Sequence, residues 1–189
     1  MLPFEECKKI LKERLNEHRY NHTLGVVESA LQLAERFGVD EEKTRYAALL
    51  HDCAREFSTD ALVKEAEKRG MRLDPIERAL PILVHAPLGA VRAAEVYDVH
   101  DIDIEMAIFS HTVGRAHMTP LDKIIYFADM IEPGRDYDGV DELRRLAREA
   151  SLSEMTLAGL SHSIAFVVSR GGLVHPCTVE ARNSIIMEG

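Results

Sequence analysis

Apolar residues recur along this chain every three or four positions, and the pattern is punctuated by capping residues, prolines and glycines. Phe4, Ile10, Leu11 and Leu15 form one stripe after Pro3 and predict a first helix. Residues 20–37 predict a second, with His22, Val26, Ala30, Leu33 and Ala34 on one face and Gly38 as its stop. Asp40-Glu41-Glu42 opens a third at the positive end of its dipole, and this helix is expected to carry the apolar run 47–50 on through Ala54. A fourth runs from Ser58 to Gly70. Asp74-Pro75 starts a fifth through Leu83, which Pro81 should distort or end early. Further helices are expected from Ala86-Pro87 to about Val99, then over 103–112, 121–131, 140–150, 153–170 and 176–187, with Gly171-Gly172 turning between the last two. No alternating run of Val, Ile and Thr between hairpin turns occurs, so no strand is expected. The fold class is all-α, a single bundle of about ten helices over residues 1–189.

Composition narrows what such a bundle does. At 189 residues the chain suits one domain with a substantial core. Its net charge of −9 disfavours non-specific binding to nucleic acid or anionic membrane, so a phosphate substrate needs locally placed cations. No run of about 18 apolar residues is present, and no membrane span is expected. The N-terminus is charged and amphipathic, unlike a secretory signal. Cys7, Cys53 and Cys177 are scattered and odd in number, which fits free thiols in a reducing cytoplasm.

Chemistry concentrates where polar residues interrupt apolar helical sequence. His51-Asp52 ends the run Ala47-Ala48-Leu49-Leu50. Burying such a pair costs several kcal/mol, roughly what a domain has to spare, unless something compensates. His22 lies on an apolar face, His85 follows Ile82-Leu83-Val84, His111 follows Ala107-Ile108-Phe109-Ser110, and Asp129 sits within an apolar octet, 124–131. Each falls on a different predicted helix, which is how a bundle builds a central metal site. His51 and Asp52 point about 100° apart on a helix and reach one ion over the seam between them. The competing readings are a hydrogen-bonded core histidine for His22 and a buried ion pair of Asp129 with Lys123 or Arg135. Arg19 shares the face of His22 and points either to phosphate or to a surface carboxylate. Leu157, Leu160, Ile164, Val167 and Val168 read as core or dimer contact, and His162 as an ordinary helix residue.

His22, His51-Asp52 and Asp129 together resemble the signature of the HD-domain superfamily of metal-dependent phosphohydrolases. Two further blocks, Ser110-His111-Thr112-Val113-Gly114 and 118–135 with Asp129-Met-Ile-Glu132-Pro133-Gly-Arg135, are similar to the bacterial YqeK-type branch of symmetrical bis(5'-nucleosyl)-tetraphosphatases. The similarity spans about His18 to Asn183, with one departure: Arg55 stands where the branch is expected to carry Lys, keeping charge but changing geometry.

The resemblance implies a metal-binding core over about 18–135, completed by helices over 138–187. It implies cleavage of diadenosine tetraphosphate into two ADP by attack of metal-activated water on an inner phosphorus. It gives His22, His51, Asp52 and Asp129 to the metal, expected to be iron, although Mn, Co, Ni and Zn suit the same donors. Arg55, Arg135 and Lys123 are candidate cations for developing charge. His85 and His111 contact phosphate, protonate the leaving ADP or bind a second metal. Thr112 offers a hydroxyl to phosphate, and Asp52 and Asp129 also lie against substrate. Arg170, Gly171, Gly172 and His175 grip the nucleoside, or form only a helix-to-helix turn. A homodimer is implied as well. The alternatives are an HD phosphohydrolase acting on a deoxynucleoside triphosphate, a nucleoside monophosphate or an alarmone, or a weakly active nucleotide sensor. Cys53 reads as a packing residue.

Overall fold

Capping chemistry sets most helix boundaries in the computed structural model, which describes residues 1–188. Asn16 accepts a bond from Arg19 N to open α2 (Glu17–Phe37), and Gly38 ends it in the left-handed region at φ +67°. Asp40 caps α3 (Glu41–Leu50). Reciprocal capping boxes open α5 (Pro75–Ala79) from Asp74 and Glu77, α8 (Pro120–Ile131) from Thr119 and Asp122, and α10 (Leu152–Ser169) from Ser151 and Glu154. The others are α1 (Phe4–Arg14), α4 (Thr59–Lys68), α6 (His85–Tyr97), α7 (Ile102–Ser110), α9 (Val140–Glu149) and α11 (Pro176–Glu188). Eleven α-helices, two 3-10 turns and no strand occur among the described residues, against about ten helices expected.

One boundary differs from expectation. The third helix stops at Leu50, not Ala54. Asp52 leaves helical geometry at φ −103°, ψ 14°, and Cys53–Glu56 form a 3-10 turn. His51 and Asp52 therefore reach a common centre through a backbone bend and not across the seam of a continuous helix. Pro81 ends the fifth helix early, one of the two outcomes expected of it. It forces Leu80 out of helical space, α5 ends at Ala79, and a 3-10 turn over Pro81–Val84 leads directly into α6 at His85.

The long helix α2 packs against α3 and α8, α7 packs against α6 and α8, and α10 joins α8 to α11. The main core lies among α2, α3, α7 and α8, with Leu49, Leu50, Ile104, Ile108, Ile124 and Phe127 fully buried. Gly159 brings α10 close to α8, since a Cβ there would stand 3.1 Å from the Phe127 ring and from Met130 Sδ. By length and composition alone, α10 is long and apolar enough to cross a membrane. Its stripe divides: Leu160 is buried, Leu157 is half-buried, Ile164 and Val167 line a cavity, and Val168 is exposed. Cys53 is buried and donates to Gly89 O at 3.4 Å, and burial pushes its thiol up, so it is a packing residue.

Gly114 follows the His111-Thr112 turn at φ +72°, and a Cβ there would lie 2.9 Å from Ala181 Cβ on α11. Gly114→Ala should therefore cost about 2 kcal/mol, summing backbone strain and a forced shift of α11. A lowered urea midpoint with an unchanged slope would show it.

Candidate metal centre

Five elements each bring one or two side chains to a single buried point. His22 comes from α2, His51 and Asp52 from the end of α3, His85 from the start of α6, His111 from the end of α7 and Asp129 from α8. Imidazole centroids lie 5.4 Å apart for His22 and His51, and 5.0 Å for His51–His111 and His85–His111. All six residues expected from the sequence are thus brought together.

Every imidazole is oriented from behind. Nδ1 of His51 donates to Ala48 O at 2.7 Å, Nδ1 of His111 to Ile108 O at 2.7 Å, and Nδ1 of His85 to Ile82 O. Nδ1 of His22 bonds Glu132 Oε1 at 3.1 Å. These bonds fix the tautomer, and all four Nε2 lone pairs face the centre. Nε2 of His22 and of His51 are buried without an aligned hydrogen-bond partner. Nε2 of His85 and His111 face each other at 3.1 Å, a repulsive pairing of lone pairs unless a proton or cation lies between. Orphaned nitrogens converging beside two carboxylates fit a metal ion.

Asp52 is the hub. Its Oδ2 lies 3.6 Å from Nε2 of both His22 and His51, while its Oδ1 lies 3.2 Å from His85 and 4.0 Å from His111. One carboxylate therefore serves two nests: His22, His51 and Asp129 on one side, His85 and His111 on the other. Burial alone would raise its pKa, but the surrounding imidazoles hold it well below the carboxylate range. Burial likewise works against Asp129, and His22, His51 and Arg135 outweigh it. Burial lowers His22 too, but the Asp129 and Glu132 carboxylates overcome that and raise it. For His85 and His111 burial wins, and both are lowered to about 4.

Glu132 and Arg144 hold this geometry, and neither was singled out as functional from the sequence. Glu132 is buried; it orients His22 through one oxygen and accepts Gly134 N at 2.6 Å through the other. Its signal was its place three residues after Asp129, just before Pro133. Arg144 on α9 donates to the carbonyls of Ile131, Glu132 and Arg135 at 3.1, 2.9 and 2.8 Å, fixing the loop that carries Glu132. Gly25 leaves room for it, since a Cβ there would meet Glu132 Oε2 at 2.6 Å. Glu132→Ala should weaken metal binding about 10- to 100-fold while leaving helical content intact. Competition with a coloured chelator, alongside circular dichroism, measures both.

The cations sort clearly. Arg135 pairs with Asp129, donating to Oδ1 at 2.5 Å and to its backbone carbonyl at 2.8 Å. Arg19 donates to Asp52 Oδ2 at 2.8 Å, so the carboxylate it meets is a buried one and not a surface Glu. Among the described residues, the Arg55 side chain has no hydrogen bond or ion pair. Burial, and then the nearby Arg19 charge, lower its pKa against the pull of Asp52 and Asp129. Lys123 instead points to Ser153 on α10 at 3.3 Å. Thr112 Oγ1 lies 3.4 Å from His85 Nε2 and 3.3 Å from His111 Nε2.

From Thr112 and Arg135 a largely apolar cavity of about 430 Å³ opens toward α10 and the segment before α11. Its walls include Tyr137, Val167, Leu173 and His162, which packs on Tyr137 at 5.4 Å. His175 also lines it and is tied to Asp74 Oδ2 at 2.7 Å, binding the α10–α11 turn to α5. Gly171 is exposed at φ +65°, a Cβ on Gly172 would lie 3.1 Å from Val167, and Arg170 stacks on Phe166, with all three outside the cavity lining.

Comparison with known proteins agrees with this geometry. The HD domain model matches residues 19–134. The symmetrical bis(5'-nucleosyl)-tetraphosphatase of Bacillus subtilis (strain 168) is 38% identical over 182 residues, which is 96% of this chain and 97% of that one. The protein of the same name in Staphylococcus aureus (strain NCTC 8325 / PS 47) is 33% identical over 180 residues, covering 95% and 92%. A crystal structure from Clostridium acetobutylicum, described as a predicted HD superfamily hydrolase involved in NAD metabolism, is similar at a TM-score of 0.94. It is 39% identical, with both chains covered completely.

Proposed function

The chain belongs to the HD-domain family, and from that premise we propose that it is a metal-dependent hydrolase. It splits dinucleoside tetraphosphates such as diadenosine tetraphosphate at the central anhydride, giving two nucleoside diphosphates. The observation that carries the reading is the convergence of four Nε2 atoms with two carboxylates beside an apolar cavity of nucleoside size. Relatives 33–38% identical over nearly their whole length bear the name of that activity.

His22, His51, Asp52 and Asp129 would hold the metal, and His51, Asp52 and His111 form a second grouping whose donors would suit another ion. A bound ion supplies Lewis acidity to a phosphoryl oxygen and lowers the pKa of water. The chain's own residues do the rest. Arg135 and Arg19, each anchored on a carboxylate, face the phosphates with their remaining N–H groups, and the unpaired Arg55 adds a third positive charge. Thr112 donates a hydroxyl at the cavity mouth. The lone-pair clash between His85 and His111 favours a cation over phosphate contact for that pair. If they hold only a proton, it is placed to pass to the departing diphosphate. The cavity seats one nucleoside against Leu173 and Val167, with His175 anchoring the turn that closes it and Arg170, Gly171 and Gly172 setting that turn's shape.

Imidazole and carboxylate donors accept Fe, Mn, Co, Ni or Zn, and iron is our choice for the resident ion. Cytoplasmic residence suits three free cysteines, two of them buried. A homodimer through exposed Phe166, Val168 and Ile186 completes the reading. The test is hydrolysis of diadenosine tetraphosphate by metal-free protein reloaded with each of these ions in turn. Turnover with at least one is expected, and none with any would end the proposal.

A further inference from the structure

We propose that the open cleft between the N-terminal half of α2 and the Glu132–Tyr137 loop is a second nucleotide subsite, which receives the half of the substrate that departs. This rests on the reading of the protein as a dinucleoside tetraphosphate hydrolase. Such a substrate presents two nucleoside diphosphate halves, one on each side of the bond that water cleaves. The 430 Å³ cavity accounts for only one of them.

The cleft, of about 790 Å³, also reaches the centre, with the buried His22 and Glu132 in its lining. Arg135 and Tyr137 line both spaces and form the wall between them. Tyr137 is fixed there by donating to Met130 O at 2.8 Å. A phosphate chain crossing this wall passes Arg135 and then meets Arg19, which lines the cleft and spends only one guanidinium contact on Asp52. Beyond Arg19, exposed His18 and Asn21 on α2 offer side-chain hydrogen-bonding groups with no partner among the described residues.

The two spaces differ in kind. The cavity is lined by apolar side chains and removes a base from water, which rewards close fit. The cleft is lined by more charged and polar side chains, among them Arg19, Asn21, Glu28 and Asp136, and offers its occupant hydrogen bonds in place of apolar burial. The anchored half therefore sets specificity, while the departing half is held loosely and released easily.

Two measurements on the metal-loaded enzyme test this. Calorimetric titration with ADP should show two molecules per chain, one tight and one weak, and His18→Ala/Asn21→Ala should lose the weak one. Adenosine 5'-tetraphosphate, which water cleaves to ADP and pyrophosphate, carries no second nucleoside. The double variant should lower the ratio of kcat/KM for diadenosine tetraphosphate over adenosine tetraphosphate by about fivefold, the size of a modest contact. One ADP per wild-type chain, or an unchanged ratio in the variant, overturns the second subsite while leaving the hydrolase reading intact. A wild-type enzyme that cleaves neither substrate overturns both.

Discussion

Asp52→Asn should lower kcat/KM for diadenosine tetraphosphate by at least about 1,000-fold, or roughly 4 kcal/mol of transition-state stabilisation. The substitution preserves shape but removes the one charge that both nests share. Oδ2 serves His22, His51 and Arg19, and Oδ1 serves His85 and His111. An amide NH2 in either place turns a donor toward a group that needs an acceptor: the Arg19 guanidinium cannot accept, and the metal side loses its anionic ligand. Steady-state kinetics with metal content measured on the same sample checks this. Activity within tenfold of wild type at full metal loading would show that Asp52 is not the hub.

The second large effect is on the metal-free protein in mild acid. Burial holds His85 and His111 neutral, with pKa values lowered to about 4 from the ordinary 6.5. The unfolded chain takes up protons at these two residues below pH 6.5, and the folded chain does so only near pH 4. Stability is therefore intact above pH 6.5 and falls as pH drops from 6.5 to 4, by up to about 3 kcal/mol for each histidine. Asp52 and Asp129, held low, act only in stronger acid. Chelated protein should thus show a melting temperature that declines steeply between pH 6.5 and 4, and a bound ion should delay the decline by competing with those protons. A flat profile for the metal-free protein across that interval would contradict the burial of two neutral imidazoles.

The helix boundaries were largely legible because capping is local. Asp74-Pro75, Thr119-Pro120 and Gly38 each act within one turn, and each does in the structure what its residue type dictates. The six central residues were legible because each interrupts an apolar run, where a polar group is costly unless partnered. What escaped the sequence depends on distant segments. The bend at Asp52 interrupts a local pattern that favours continuing the helix, and it turns the carboxylate toward side chains from distant segments. Arg19 meets Asp52 across 33 residues and Glu132 meets His22 across 110, and no periodicity encodes either pairing. His162 looked like an ordinary helix residue because the cavity it faces exists only once α8, α10 and the Tyr137 segment are packed together.

The most direct test is the identity of the products. Metal-loaded enzyme given diadenosine tetraphosphate, with nucleotides separated by anion-exchange chromatography at low conversion, should yield ADP alone, two per substrate consumed. ATP and AMP in equal amounts would mean that water attacks an outer phosphorus, and would contradict a centre that grips one nucleoside diphosphate on each side of the bond it breaks.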